Sequence, residues 1–127
     1  MIIGSISENK KNENRVAITP DIVKKYKSLG LDIHLSANYA QHLGITDKEY
    51  ELEGVTILKN DEEVISNSDA ILQMSLPSSE NLDKIDKGKI LIGVLNPYSN
   101  EKKLKDLISK DIKCFSLELL PRITRAQ

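Results

Sequence analysis

Ile90-Leu91-Ile92-Gly93-Val94-Leu95, stopped at once by Asn96-Pro97, is the stretch that decides the fold. It carries no polar alternation. A strand wetted on one face alternates apolar and polar residues, whereas a parallel strand covered on both faces reads as a continuous apolar run. The expected strand takes in Lys89 to Leu95 and implies a sheet lying between layers of helix.

On either side of this run the same grammar repeats. Ala70 to Leu76 is a strand halted by Pro77, and Ile112 to Leu117 is another. Between the last two strands Asn100 stands as the cap of a helix in which Leu104, Leu107 and Ile108 recur at helical spacing. Toward the N-terminus, Ile2 to Ile6, Leu31 to Leu35 and Val55 to Leu58 complete six strands. Thr19-Pro20-Asp21 opens a helix: threonine caps it, proline is preset for the first turn, and aspartate suits the positive end of the dipole. Ile22, Val23, Tyr26 and Leu29 line one face of that helix, and Gly30 stops it. Thr46-Asp47-Lys48-Glu49 is a capping box for a short helix ending at Gly54. Asn60 or Asp61 begins another helix, through Val64 and Ile65. Six strands with five intervening helical segments predict an α/β fold over residues 1–127. It is an open, mostly parallel Rossmann- or flavodoxin-like sheet with helices on both faces and right-handed crossovers.

The composition sets the class of partner. Hydrophobic residues make up 39% and charged residues 29%, an ordinary soluble balance. With 18 basic and 19 acidic residues the net charge is −1, so nucleic acid is not an expected partner. The N-terminus turns polar too soon for a signal peptide, and no apolar run reaches the length of about 18 residues that spans a bilayer.

Most chemistry is excluded by what is missing. The six glycines never fall into G-x-G-x-x-G, and there is no G-x-x-x-x-G-K-[ST] loop. The tight turn that lets backbone amides approach a pyrophosphate is therefore lacking, and a self-sufficient dinucleotide domain is not expected. His34 reads as a half-buried sheet residue and His42 as a solvated loop residue. The single Cys114 sits in an apolar run as a small core residue, without metal-ligand spacing to either histidine, so no metal is expected.

In open α/β sheets ligands bind beyond the carboxyl ends of the strands. The loop ending in Arg15, Ser75 to Pro77, Asn96-Pro97 and Leu119 to Arg122 all follow strands, and in a parallel sheet they share one edge. Arg15 has two readings: a planar fork for a carboxylate or phosphate, or a surface residue tying down a polar loop. The end of the chain, Pro121-Arg122-Ile123-Thr124-Arg125-Ala126-Gln127, carries two arginines three residues apart, which share a face if helical. A domain rarely ends one turn into a helix, so this reads as a cut.

These residues resemble a known family. Glu13-Asn14-Arg15-Val16-Ala17-Ile18-Thr19-Pro20 is similar to the N-terminal signature shared by alanine dehydrogenases and the α subunit of nicotinamide nucleotide transhydrogenase. The likeness continues through Asp47 to Tyr50, Asp69 to Pro77 and Gly88 to Pro97, covering the whole chain. The terminal Pro-Arg-Ile-Thr-Arg-Ala-Gln resembles the transhydrogenase branch in particular. Alanine dehydrogenases carry a catalytic lysine and histidine at the ends of strands four and five; here those positions hold Ser75 and Asn96. Serine cannot polarise a keto group as an ammonium does, and asparagine does not exchange a proton near neutral pH. Of the three substrate groups only Arg15 remains.

The resemblance implies a portion of a proton-translocating enzyme that moves hydride between NAD(H) and NADP(H). By motif match, Arg122 would lie beside the nicotinamide of NAD(H), and Gln127 would reach toward the NADP(H) ribose. Such transfer needs ring positioning rather than a protein acid or base. The implied partners are the NAD-binding remainder of the α subunit, membrane and NADP-binding components, and a second copy, since family members dimerise. The location implied is cytoplasmic, peripheral to the inner membrane. The chain alone is expected to be inactive and to bind NAD(H) very weakly. Two other readings remain: a divergent alanine- or saccharopine-type dehydrogenase, and a stand-alone non-catalytic assembly module.

Overall fold

A computed structural model describes residues 1–9 and 13–117. Its strands are β1 (Ile2–Ser5), β2 (Asp32–Ser36), β3 (Thr56–Leu58), β4 (Ala70–Gln73), β5 (Ile90–Gly93) and β6 (Lys113–Ser116). The helices are α1 (Pro20–Ser28), α2 (Asp47–Leu52), α3 (Asp61–Asn67), α4 (Ser79–Asp83) and α5 (Glu101–Ser109), with a 3-10 turn at Gln41–Leu43. Every strand pairing is parallel, in the order β3-β2-β1-β4-β5-β6. This is the doubly wound order, in which the winding reverses between β1 and β4.

Local signals set most element boundaries. The Thr19 side chain accepts from the Ile22 amide, and Pro20 begins α1. At α2 the capping box closes in both directions: Thr46 Oγ1 accepts from the Glu49 amide, and the Glu49 carboxylate accepts from the Thr46 amide. Asn60 caps α3 through its side chain. Asn100 holds the cap position of α5 but does not cap it with its side chain. Its amide instead donates to the carbonyls of Leu95 and Asn96, so it fastens the loop after β5 rather than the helix.

Two strands are shorter than their apolar runs. The ladder of β4 ends at Gln73, not Leu76, because the Met74 and Ser75 amides turn toward the Glu8 carboxylate. β5 ends at Gly93, not Leu95. A Cβ at Gly93 would overlap the Gln73 carbonyl oxygen, so glycine here lets β5 approach β4 beside the cleft described below.

Helices cover both faces, unevenly. On one face α3, α4 and α5 bury Ile71 of β4 and Leu91 of β5 with Val64, Leu82 and Leu107. On the other, α1 and α2 cover β1 to β3, burying Ile33, Leu35, Tyr39 and Tyr50, and that core reaches only as far as Leu72 of β4. Ile90, Ile92 and Val94 are consequently half-buried, and Phe115 beside Ile92 is 51% exposed. Full coverage of β5 on both faces, as its sequence suggests, is therefore not what the described residues provide.

His34 is a half-buried residue of β2, and its Nδ1 lacks a hydrogen-bond partner among the described residues. His42 is exposed, with Nε2 2.8 Å from the Asn14 carbonyl; since a carbonyl only accepts, this nitrogen carries the proton. Cys114 packs against the first core, and burial pushes its thiol up, away from thiolate reactivity. No helix among the described residues is long and apolar enough to cross a membrane.

Candidate functional site

The ends of β1, β4 and β5 meet in a cleft of about 560 Å³, at the place where the winding reverses. Its wall includes Glu8, Gln73, Ser75, Asn81, Asn96 and Lys103. The strand-end convergence expected of a parallel sheet is thus present for three of the four segments; Leu119 to Arg122 lies outside the described residues.

The centre of the cleft is a buried carboxylate. Glu8 is 6% exposed and accepts four hydrogen bonds. One oxygen, Oε2, takes the Gln73 Nε2–H at 2.9 Å and the Met74 amide at 2.7 Å. The other takes the Ser75 hydroxyl at 2.9 Å and the Ser75 amide at 3.3 Å. Desolvation pushes the Glu8 carboxyl above its ordinary value, while the donors from Met74 and Ser75 pull the other way and recover only part of the shift.

A chain of buried polar groups runs inward from Glu8. Gln73 donates to the Ile6 carbonyl and accepts from the Ile6 amide. Ser5 Oγ lies 2.6 Å from the Leu72 carbonyl, 3.1 Å from Gln73 Oε1 and 2.7 Å from the Tyr39 hydroxyl. Tyr39 Oη in turn accepts from the amides of Ala17 and Ile18, and Tyr50 donates to the Ile18 carbonyl. The two tyrosine rings meet edge to face, 5.9 Å apart. Burial holds the Tyr39 hydroxyl up at about 12, so it stays protonated throughout the range in which carboxylates titrate.

Glu8, Ser5 and the two tyrosines have no mark in the local sequence pattern. Gln73 offered the one available signal: a lone amide inside an otherwise apolar strand must find partners when buried.

Arg15 does not line the cleft. It forms a two-pronged pair with Glu13, Nε to Oε2 at 2.9 Å and Nη2 to Oε1 at 3.0 Å, and its side chain is 69% exposed. The guanidinium fork is thus filled here by an acid two residues away. Arg15's hydrogen bonds hold the Glu13 carboxyl at about 2, below the ordinary 4.5. A depressed folded-state pKa adds stability above the unfolded value, lost as pH falls from about 4.5 through about 2. Arg15→Ala should return Glu13 toward 4.5 in an NMR carboxyl titration. Because the pair is exposed and screened, stability should change little. Arg122 and Gln127 lie outside the described residues.

Comparison with known proteins places this architecture. The family model described as "Alanine dehydrogenase/PNT, N-terminal domain" matches residues 4–127. The chain belongs to this family. Within the alanine dehydrogenase/PNT family it is similar to the first of the separate parts of NAD(P) transhydrogenase subunit alpha in Rickettsia prowazekii, 34% identical over all of this chain and 34% of that protein. The corresponding protein of Rhodospirillum rubrum is 30% identical with the same coverage. The crystal structure of transhydrogenase from Sinorhizobium meliloti superposes with a TM-score of 0.91 at 34% identity, covering 100% of this chain and 38% of that one. An L-alanine dehydrogenase superposes at 0.84 with 18% identity over 91% of this chain and 32% of its own, a likeness of fold. The chain spans about a third of the length of these relatives.

Proposed function

We propose that this domain serves a proton-translocating NAD(P) transhydrogenase, in which hydride passes between NAD(H) and NADP(H). The observation carrying the choice of branch is Ser75. Its hydroxyl and amide are both taken up by Glu8, at the strand end where alanine dehydrogenases are expected to place an ammonium. Asn96, at the expected histidine position, lines the same cleft without a proton to exchange.

The described residues do not fit the pyrophosphate of a dinucleotide. The end of β1, where a dinucleotide-binding domain presents its glycine turn, holds the buried Glu8 carboxylate. NAD(H) is therefore assigned to the remainder of the α subunit and NADP(H) to a separate component facing it. This domain contributes packing and, by motif match, two side chains: Arg122 beside the nicotinamide of NAD(H) and Gln127 toward the NADP(H) ribose. Through the complete assembly and its membrane component, this domain would sit on the cytoplasmic side, peripheral to the inner membrane.

The test uses the full protein that carries this domain, assembled with the NADP-binding and membrane components. Hydride transfer from NADPH to an NAD analogue of distinct absorbance should proceed, whereas alanine should not support NADH formation. Arg122→Ala should slow hydride transfer by about tenfold, as expected from one charge-assisted hydrogen bond of about 1.5 kcal/mol. Alanine-dependent NADH formation would overturn the assignment in favour of an amino-acid dehydrogenase. The chain alone should show neither activity.

A further inference from the structure

Proton accounting in the buried network singles out Glu8. Tyr39 Oη already accepts two amides, so its own proton goes to Ser5 Oγ. Ser5 then gives its proton to the Leu72 carbonyl, the shortest contact it has. Gln73 is fixed by Ile6, with its amide nitrogen toward the Ile6 carbonyl and Glu8 and its oxygen toward the Ile6 amide. At the cleft end of this network four donors point at Glu8: Gln73 Nε2, the Met74 and Ser75 amides, and the Ser75 hydroxyl. The arrangement is complete only when Glu8 is an ionised, acceptor-only carboxylate.

Among the described hydrogen-bond partners of Glu8, one can accept from its protonated form. Around Oε2 the partners are N–H groups that cannot accept. Beside Oε1 the Ser75 hydroxyl can reverse, accepting from Glu8 and turning its own proton into the cleft. We propose that Glu8 is a proton-operated switch on the cleft wall. Uptake of one proton from water reverses the Glu8–Ser75 hydrogen bond, changes Ser75 from an acceptor toward the cleft into a donor, and loosens the hold on the Met74 and Ser75 amides. This device is independent of the hydride-transfer reading.

The raised Glu8 pKa supports the device, because a carboxyl held above 4.5 takes up its proton under milder conditions than an ordinary one. The sign follows: an ionised Glu8 carries a burial penalty that is present above the folded-state pKa and relieved as pH falls toward the unfolded value. Among the described residues, the other charged or titratable groups facing it are Glu13 and Arg15 from the loop before α1, Tyr39 after β2, Asp61 of α3 and Lys103 of α5. Glu13 is held at about 2 and so stays ionised while Glu8 titrates.

Isotope-labelled full chain, titrated by NMR, tests this directly. The Glu8 carboxyl carbon and the Met74 and Ser75 amides should share one midpoint above 4.5, with both amide protons moving upfield as pH falls. Asp61→Asn should keep that midpoint. Glu8→Gln should abolish it at Met74 and Ser75. Should Glu8→Gln fail to fold, the wild-type titration still decides. Amides that stay flat across the Glu8 midpoint sink the proposal, as does an amide midpoint that survives in Glu8→Gln.

Discussion

Tyr39→Phe is expected to destabilise the domain by about 2–4 kcal/mol, although it removes a single oxygen and leaves the ring in place. That oxygen accepts from the amides of Ala17 and Ile18 and meets Ser5 Oγ at 2.7 Å. Tyr39, Ile18 and Ser5 are each 0% exposed, so water cannot replace the lost partner at Ile18 or Ser5. A buried donor or acceptor left unmade costs about 1–3 kcal/mol, and here more than one is stranded at once. Tyr50→Phe is the natural comparison: it strands only the Ile18 carbonyl and should cost about 1–2 kcal/mol. Urea denaturation with an unchanged m-value reads both. A Tyr39→Phe loss below about 0.5 kcal/mol would mean that the amides find other partners and that the network is dispensable.

This prediction bears on the family signature. Val16-Ala17-Ile18-Thr19 leads into α1, and Tyr39 and Tyr50 clamp its backbone from residues 21 to 32 positions later. Nothing in the segment itself announces that clamp. The features legible in the sequence were those written within a few residues: the Thr19 and Asn60 caps, the Thr46–Glu49 box, and the alternation of strands with helices. Local chemistry sufficed because each capping partner lies three residues away. The Glu8 network was illegible for the opposite reason. Its bonds to Gln73, Met74 and Ser75 join residues 65 to 67 apart, and they form only because parallel pairing sets β1 beside β4. Arg15 shows the converse limit. Its fork does suit an anion, but Glu13 lies within reach and fills it, and a spacing of two in a loop says nothing about which partner prevails.

The run Ile90 to Leu95 provides the second large effect, because the two faces of β5 should respond differently. Leu91→Ala should cost about 2–5 kcal/mol, a substantial fraction of the total of about 5–15 kcal/mol that holds an ordinary domain together. Leu91 is 0% exposed and stands in register with Ile71 and Cys114, under the layer formed by α3, α4 and α5. The layer on that side is fastened to the start of β5, where the Lys89 ammonium donates to the Ile65 and Ser66 carbonyls of α3. A cavity at position 91 therefore collapses poorly, which places the cost toward the upper end. Ile92 lies one residue on and faces the opposite side, in register with Leu72 and the exposed Phe115. It is only half-buried, so Ile92→Ala should cost less than about 2 kcal/mol, mainly through lost transfer energy. From sequence alone the two substitutions are equivalent, since both sit in one unbroken apolar run. Urea midpoints of the two variants separate the cases: equal losses would show that the Ile92 face is as well covered as the Leu91 face, and that the helical layers over β5 are symmetric after all.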